Sequence, residues 1–171
     1  ETGYIYIHDM SARRDTMNCC LFDVAHVLSG GFEMGNIWYN EPKTLDVAFD
    51  VIGDIVLSAA SQQYGGFTVP SVDLILEPYA EKSYRRALAK YERLGVAADL
   101  AEKEALADVK KEFEQGFQGW EYKFNPVASS RGDYPFITVT AGTGTGQFAR
   151  MASVAMLEVR RGGQGKTGHK K

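Results

Sequence analysis

At 171 residues, with 44% hydrophobic and 12% aromatic positions, the chain can bury a sizeable core, which excludes a disordered polypeptide. A formal net charge of −3 gives no general electrostatic drive toward nucleic acid, and no apolar run approaches the roughly 18 residues that span a bilayer. Two cysteines cannot by themselves build a disulfide scaffold or a four-ligand zinc site, so a reducing cytoplasm is the expected setting.

In chain order, Tyr4-Ile5-Tyr6-Ile7-His8-Asp9 reads as a strand ending at a polar corner. Met17 to Leu28 reads either as a buried strand or as a strand passing into a helix, closed by Gly30-Gly31. Pro42-Lys43-Thr44 introduces a helix to about Gln63 with Thr44 as N-cap. Its apolar residues, from Leu45 to Leu57, surround nearly the whole circumference, as in a helix buried in a large core or a subunit interface. A second helix is expected from Ser71, kinked early by Pro78 and stopped by Gly95. A third, from about Ala98 to Tyr122, aligns Ala101, Ala105, Val109, Phe113 and Phe117 on one stripe. After a loop at 125–133, residues 135–140 form a strand, the Gly-rich AGTGTG makes a turn, and an amphipathic helix runs from about Gln147 to Arg160. The alternation of strands and helices predicts an α/β fold.

The chemistry-bearing residues are few. The GTGTGQ turn misses the G-x-G-x-x-G spacing, because Gln147 stands where the third glycine belongs. A strand-to-helix glycine turn can still meet phosphate at a helix N-terminus, the alternative being a plain tight turn. GGQGKT lacks the first glycine of a Walker A loop, since Arg160 stands there, and Arg131-Gly132-Asp133 reads as a loop turn. Among three histidines, His26 lies in apolar sequence and reads as a hydrogen-bonded core residue; His169 is in the tail. His8, at a strand end, is a candidate site residue. Adjacent cysteines on a strand point to opposite faces, which disfavours a disulfide between Cys19 and Cys20. Whether either thiol is functional or simply packed is open at this level.

The ordered strings YIHD, NCCLFD, SGGFEMGN, EPKT, QQYGG and DLILEPY, followed by FEQGFQGWEYKFN and GDYPFITVTAGTGT, resemble the anaerobic (class III) ribonucleoside-triphosphate reductases across essentially the whole chain. The resemblance implies a fold that is half of a ten-stranded α/β barrel of the glycyl-radical enzyme type, with long helices. Both termini look cut, so residues 1–171 are expected to form a single partial domain, inactive alone, without the finger loop, glycyl-radical and zinc regions. The implied activity is reduction of ribonucleoside triphosphates to deoxyribonucleoside triphosphates by thiyl and glycyl radical chemistry, for DNA synthesis. The implied cofactors are a glycyl radical, generated by an S-adenosylmethionine/iron–sulfur activase, and formate as reductant; zinc belongs to the missing region and no metal to this one. The N-C-x-L pattern maps the family's strand cysteine, which supplies hydrogen to the ribose 2′ carbon, onto Cys19 and leaves Cys20 on the other face. His8 is implied to position formate or substrate hydroxyls, and Gly142, Gly144 and Gly146 to meet the substrate triphosphate. Lys43 is implied to contact dNTP or ATP effectors beside a homodimer interface formed by the helix after EPKT. No nucleic acid or membrane partner is expected. The family often carries Gln or Asn where Asp133 stands, which removes an amide from that position. Two other readings are another glycyl-radical enzyme and a noncatalytic helical assembly module.

Overall fold

The computed structural model describes residues 18–63, 65–126, 134 and 136–163. The strand expected at 4–9 with His8, the loop residues 127–133 and the tail from 164 with His169 lie outside the described residues. The elements are β1 (Cys20–Leu21), α1 (Val24–Leu28), β2 (Phe32–Met34), β3 (Ile37–Tyr39), α2 (Leu45–Ala60), β4 (Phe67–Val69), α3 (Val72–Arg93), α4 (Ala98–Phe124), β5 (Ile137–Val139) and α5 (Gln147–Gly162).

Strands β1, β4 and β5 form a parallel sheet with β4 in the middle, Phe67 lying between Cys20 and Ile137 and Thr68 between Leu21 and Thr138. Strand alternation separates two faces. Phe67 and Val69 are fully buried, and Cys20, Ile137 and Val139 pack against the same core. On the other face Leu21 is 75% exposed and Thr138 is exposed, so the sheet is helix-covered on one side and open on the other. This is an α/β arrangement with long helices, as expected. Strands β2 and β3 form a separate antiparallel hairpin with Phe32 stacked on Tyr39.

The helical layer is built around α2. It ends at Ala60, short of the expected Gln63. Its apolar circumference is covered by α3, α4 and β4 of the same chain, with Val47 as its exposed large hydrophobic residue. Of the two settings expected for an all-round apolar helix, a large core or a subunit interface, the first accounts for most of that surface. The α4 stripe forms as expected, with Ala101, Ala105, Val109 and Phe113 fully buried. Phe49 of α2 meets Phe113, Phe117 and Trp120 edge-on, and Trp120 donates its ring N–H to the Phe49 carbonyl at 2.9 Å. Gly116 makes this possible, because a Cβ there would lie 2.3 Å from the Phe49 ring.

Thr44 is the α2 N-cap residue, yet its side chain caps no helix N–H. That duty falls to Ser83, buried on α3, whose Oγ accepts from Leu45 N–H at 2.9 Å and donates to Glu112 of α4 at 2.7 Å. One hydroxyl thus ties three helices. Pro78 does not end α3; it sits on an exposed side, where the Leu74 carbonyl deprived of its donor can be hydrated. His26 is exposed, which corrects its reading as a core residue. Its backbone N–H is held by Asp23 at the start of α1.

Two outcomes follow from this packing. Gly116→Ala should lower stability by about 1–3 kcal/mol in denaturant titration, because the Phe49 ring has no room to retreat. Burial holds the Glu112 carboxyl above its ordinary value of 4.5, against the opposing pull of the Ser83 hydroxyl. The folded state therefore binds that proton more tightly than the unfolded chain. Its contribution is full below about pH 4.5 and lost as pH rises through the folded value. Glu112→Gln should flatten the fall in Tm over that window; an unchanged Tm-against-pH curve would refute it.

Candidate functional site

The two ends of the sheet carry Cys19 and the glycine turn, whereas Lys43 lies ahead of α2 and His8 is outside the described residues. Cys19 lies in a bend one residue before β1 rather than on the strand, and it is exposed. Its neighbour Cys20 is half-buried, packs against the core, and its sulfur accepts a hydrogen bond from the Gln63 amide at 2.7 Å. The two thiols therefore occupy different environments although their residues are adjacent.

The QQYGG segment holds the Cys19 side. Gly65 N–H donates to the Asn18 carbonyl at 2.5 Å, Gly66 N–H reaches the Cys19 sulfur at 3.3 Å, and Cys20 N–H donates to the Gly66 carbonyl at 3.1 Å. A Cβ at Gly65 would sit 2.4 Å from the Cys19 sulfur and 2.6 Å from the Asn18 side-chain oxygen. Only glycine leaves room for both. Two motifs whose contacts span 47 residues of sequence are thus one local structure.

The other end of the sheet carries the glycine turn. Thr140 clamps the ends of β4 and β5: its N–H donates to the Val69 carbonyl at 3.1 Å, its carbonyl accepts from Val72 N–H at 2.8 Å, and its hydroxyl accepts from Ser71 N–H at 2.8 Å. Ser71 has φ +48°, alone among described non-glycine residues in the left-handed region. The turn that follows is occupied from within. Asp73, fully buried in the first turn of α3, accepts from Gly142 N–H at 3.1 Å and Gly144 N–H at 2.7 Å through a single oxygen. Gly146 is the N-cap residue of α5, and the Glu77 carboxylate lies where a Cβ at 146 would go. Two of the backbone donors offered to phosphate by the sequence reading are thus already engaged; the open donors are on the α5 first turn and the Thr143 and Thr145 hydroxyls.

Lys43 is exposed just ahead of α2. Beside that end, α3 and α4 enclose a groove of about 740 Å³ lined by Arg86, Lys90, Arg93 and Lys111 against Asp108 and Glu112. A second cavity of about 450 Å³, between α4, β5 and α5, lies on the covered side of the sheet, away from Cys19. Among the described residues no three His, Cys, Asp or Glu side chains gather as a metal site, and no helix is long and apolar enough to cross a membrane.

Sequence reasoning passed over Gln63, Gly65, Ser71, Asp73 and Glu77. For Asp73 the sequence shows a carboxylate between Val72 and Leu74, four residues before Glu77, but nothing that ties it to the glycine turn about 70 residues later.

The comparisons agree with this architecture. Residues 1–171 match the family described as "Anaerobic ribonucleoside-triphosphate reductase". The enzyme of that name from Enterobacteria phage T4 is 37% identical over 170 residues, which are 98% of this chain and 28% of that protein. Those of Haemophilus influenzae and Escherichia coli are 36% and 32% identical, over 97% of this chain and 24% and 23% of their own lengths. The chain thus spans about a quarter of the relatives it matches. The crystal structure of the anaerobic ribonucleotide reductase from Thermotoga maritima, solved with dATP and CTP, superposes with a TM-score of 0.61 at 13% identity, over 89% of this chain and 25% of that one. A match of this extent shows that the chain belongs to the anaerobic ribonucleoside-triphosphate reductase family.

Proposed function

We propose that this chain supplies the substrate-facing part of a reductase that converts ribonucleoside triphosphates to deoxyribonucleoside triphosphates, within half of a ten-stranded barrel. The observation that carries the reading is the separation of the two thiols: Cys19 exposed beside the open face, Cys20 tied to Gln63 and the core. Cys19 is the hydrogen donor in this reading. Its S–H bond is weak enough to give a hydrogen atom to a carbon radical at the ribose 2′ position, which an alcohol or methyl side chain cannot do. Gly65 and Gly66 hold the sulfur in place, and the Gly66 N–H, reaching it at 3.3 Å, limits its rotation.

The anionic end of the substrate belongs at the α5 N-terminus and the Gly142–Gly146 turn. By register, Cys19 is level with Gly66 and Phe136, four residues before Thr140. That is about 13 Å along the strands, so a ligand held at both ends is elongated, with sugar and phosphates at opposite ends. His8 belongs to the same pocket in this reading and lies outside the described residues. The family's glycyl radical supplies the initial oxidation. That group, its S-adenosylmethionine-dependent activase, formate as reductant and any structural zinc are assigned to partners or to regions beyond this segment, in a cytoplasmic homodimer.

Effector binding is placed at Lys43 and the adjoining α3–α4 groove. Its support is the surplus of cations there, and Arg86 acts electrostatically on Asp46 in the first turn of α2, three residues from Lys43.

In the complete reductase, Cys19→Ala should abolish turnover while leaving substrate affinity unchanged, whereas Cys20→Ala should cost roughly 1 kcal/mol of stability and keep activity. Equal activity in the two variants would overturn the assignment. Lys43→Ala should weaken effector binding by about tenfold, as expected for one charge-assisted phosphate contact, with basal turnover unchanged. Isothermal titration with dNTP reads it directly, and unchanged binding would remove Lys43 from the site.

A further inference from the structure

We propose that Asp73 is a positioning residue for the phosphate-binding turn, an internal anion around which the Gly142–Gly144 backbone is folded. The proposal rests on the reading of that turn as the triphosphate site and adds to it the group that gives the turn its shape.

Two N–H groups two residues apart converge on one Asp73 oxygen, at 3.1 and 2.7 Å. Convergence of successive backbone donors on one acceptor is the geometry of an anion-binding nest. Gly142 reaches it with φ +97°, a conformation that side chains oppose. Gly144 is required for a different reason: a Cβ there would lie 2.4 Å from the Ala149 Cβ and 3.1 Å from the Asp73 oxygen. The turn is therefore pressed between α3 and the first turn of α5, with Asp73 as its floor.

The second Asp73 oxygen makes the carboxylate hard to explain as simple packing. It is buried and has no hydrogen-bond partner among the described residues, which simple packing does not explain. An amide oxygen, which also has two lone pairs, could accept both N–H groups at lower desolvation cost. What a carboxylate adds is negative charge, which draws in both N–H groups and bars a second anion from them. Glu77, one turn further along α3, lies against Gly146 and bars a side chain there. Together the two carboxylates mark off one side of the turn from phosphate. A bound phosphate is left with the N–H groups opening α5 and the Thr143 and Thr145 hydroxyls, so Asp73 and Glu77 determine its approach.

The test uses the complete reductase with Asp73→Asn and Asp73→Ala. Deuterium exchange of the peptide spanning 137–149 reports the turn independently of catalysis, and steady-state kinetics with a ribonucleoside triphosphate report its use. Faster exchange is expected in both variants, with KM raised about tenfold or more in Asp73→Ala, less in Asp73→Asn, and kcat at saturation within about threefold of the parent. Unchanged exchange would show that Asp73 does not shape the turn and would overturn the proposal. Faster exchange with an unchanged KM would instead overturn the phosphate reading of the turn, and with it the role given to Asp73. A parallel loss of Tm and kcat with KM intact would reduce Asp73 to a purely structural residue and also overturn it. Asp73→Asn, which keeps an acceptor oxygen, provides the readout if Asp73→Ala fails to fold.

Discussion

The parallel pairing of β4 with both β1 and β5 is the contact on which the other placements depend. Three residues, Phe67 to Val69, carry hydrogen bonds on both edges and bury two side chains completely. Gly65 and Gly66 lead into that strand and hold Asn18 and Cys19; Ser71 and Asp73 lead out of it and hold Thr140 and the glycine turn. The distance between the thiol and the turn is therefore set by strand register. A slip of one residue would exchange the covered and open faces and place Thr68 where Phe67 is buried.

So short a sheet cannot stabilise itself, and the helical layer supplies the apolar area. Phe49, Phe113, Phe117 and Trp120 interlock at ring-centroid distances of 4.9–6.4 Å, with the Trp120 N–H satisfied by a helix carbonyl. Ser83 satisfies the first N–H of α2 from another helix, a polar link inside an apolar layer that fixes how α2, α3 and α4 meet. The covered face of the sheet, with Cys20 on it, rests on this layer. Cys20 is therefore held by packing and by Gln63, and the open face is left to Cys19.

The helices were legible in the sequence because their signals are long and local: the α4 stripe repeats every four residues, and Gly95, at φ +75°, marks the stop after α3. The short strands were not. Phe67-Thr68-Val69 is too short to show an alternation, with two core-facing residues around one, and gains its identity from two partners distant in sequence; its local clues were only the glycines before it and Pro70 after it. Phe32–Met34 and Ile37–Tyr39 escaped for the same reason, although Gly35-Asn36 between them is a turn signal. His26 misled because apolar neighbours in sequence imply burial only when the period is right, and in the five-residue α1 the buried side is Val24 and Leu28. For the candidate site, strand alternation and family resemblance separated Cys19 from Cys20, but nothing local announced that a carboxylate would occupy the glycine turn. That is a long-range contact between residues about 70 positions apart.

Charge along α3 follows the polarity of the helix itself. Asp73 and Glu77 stand near its N-terminal end, where the macrodipole favours negative charge; Arg86, Lys90 and Arg93 stand toward its C-terminal end, where it favours positive charge. The same gradient that suits the dipole puts carboxylates against the glycine turn and cations against the α4 groove, about 25 Å apart along one rod. An anion approaching the turn is confined to the α5 side by Asp73 and Glu77, whereas an anion approaching the groove meets a surplus of cations. A displacement of α3 along its axis would move both sets of charges together, because its Ser83 hydroxyl is bonded to α2 and α4 and its Asp73 carboxylate to the turn before α5. The physical link between the two ends is this helix, held by Asp73 and Ser83 and also by Lys82 on Glu41 and Tyr91 on Asp108.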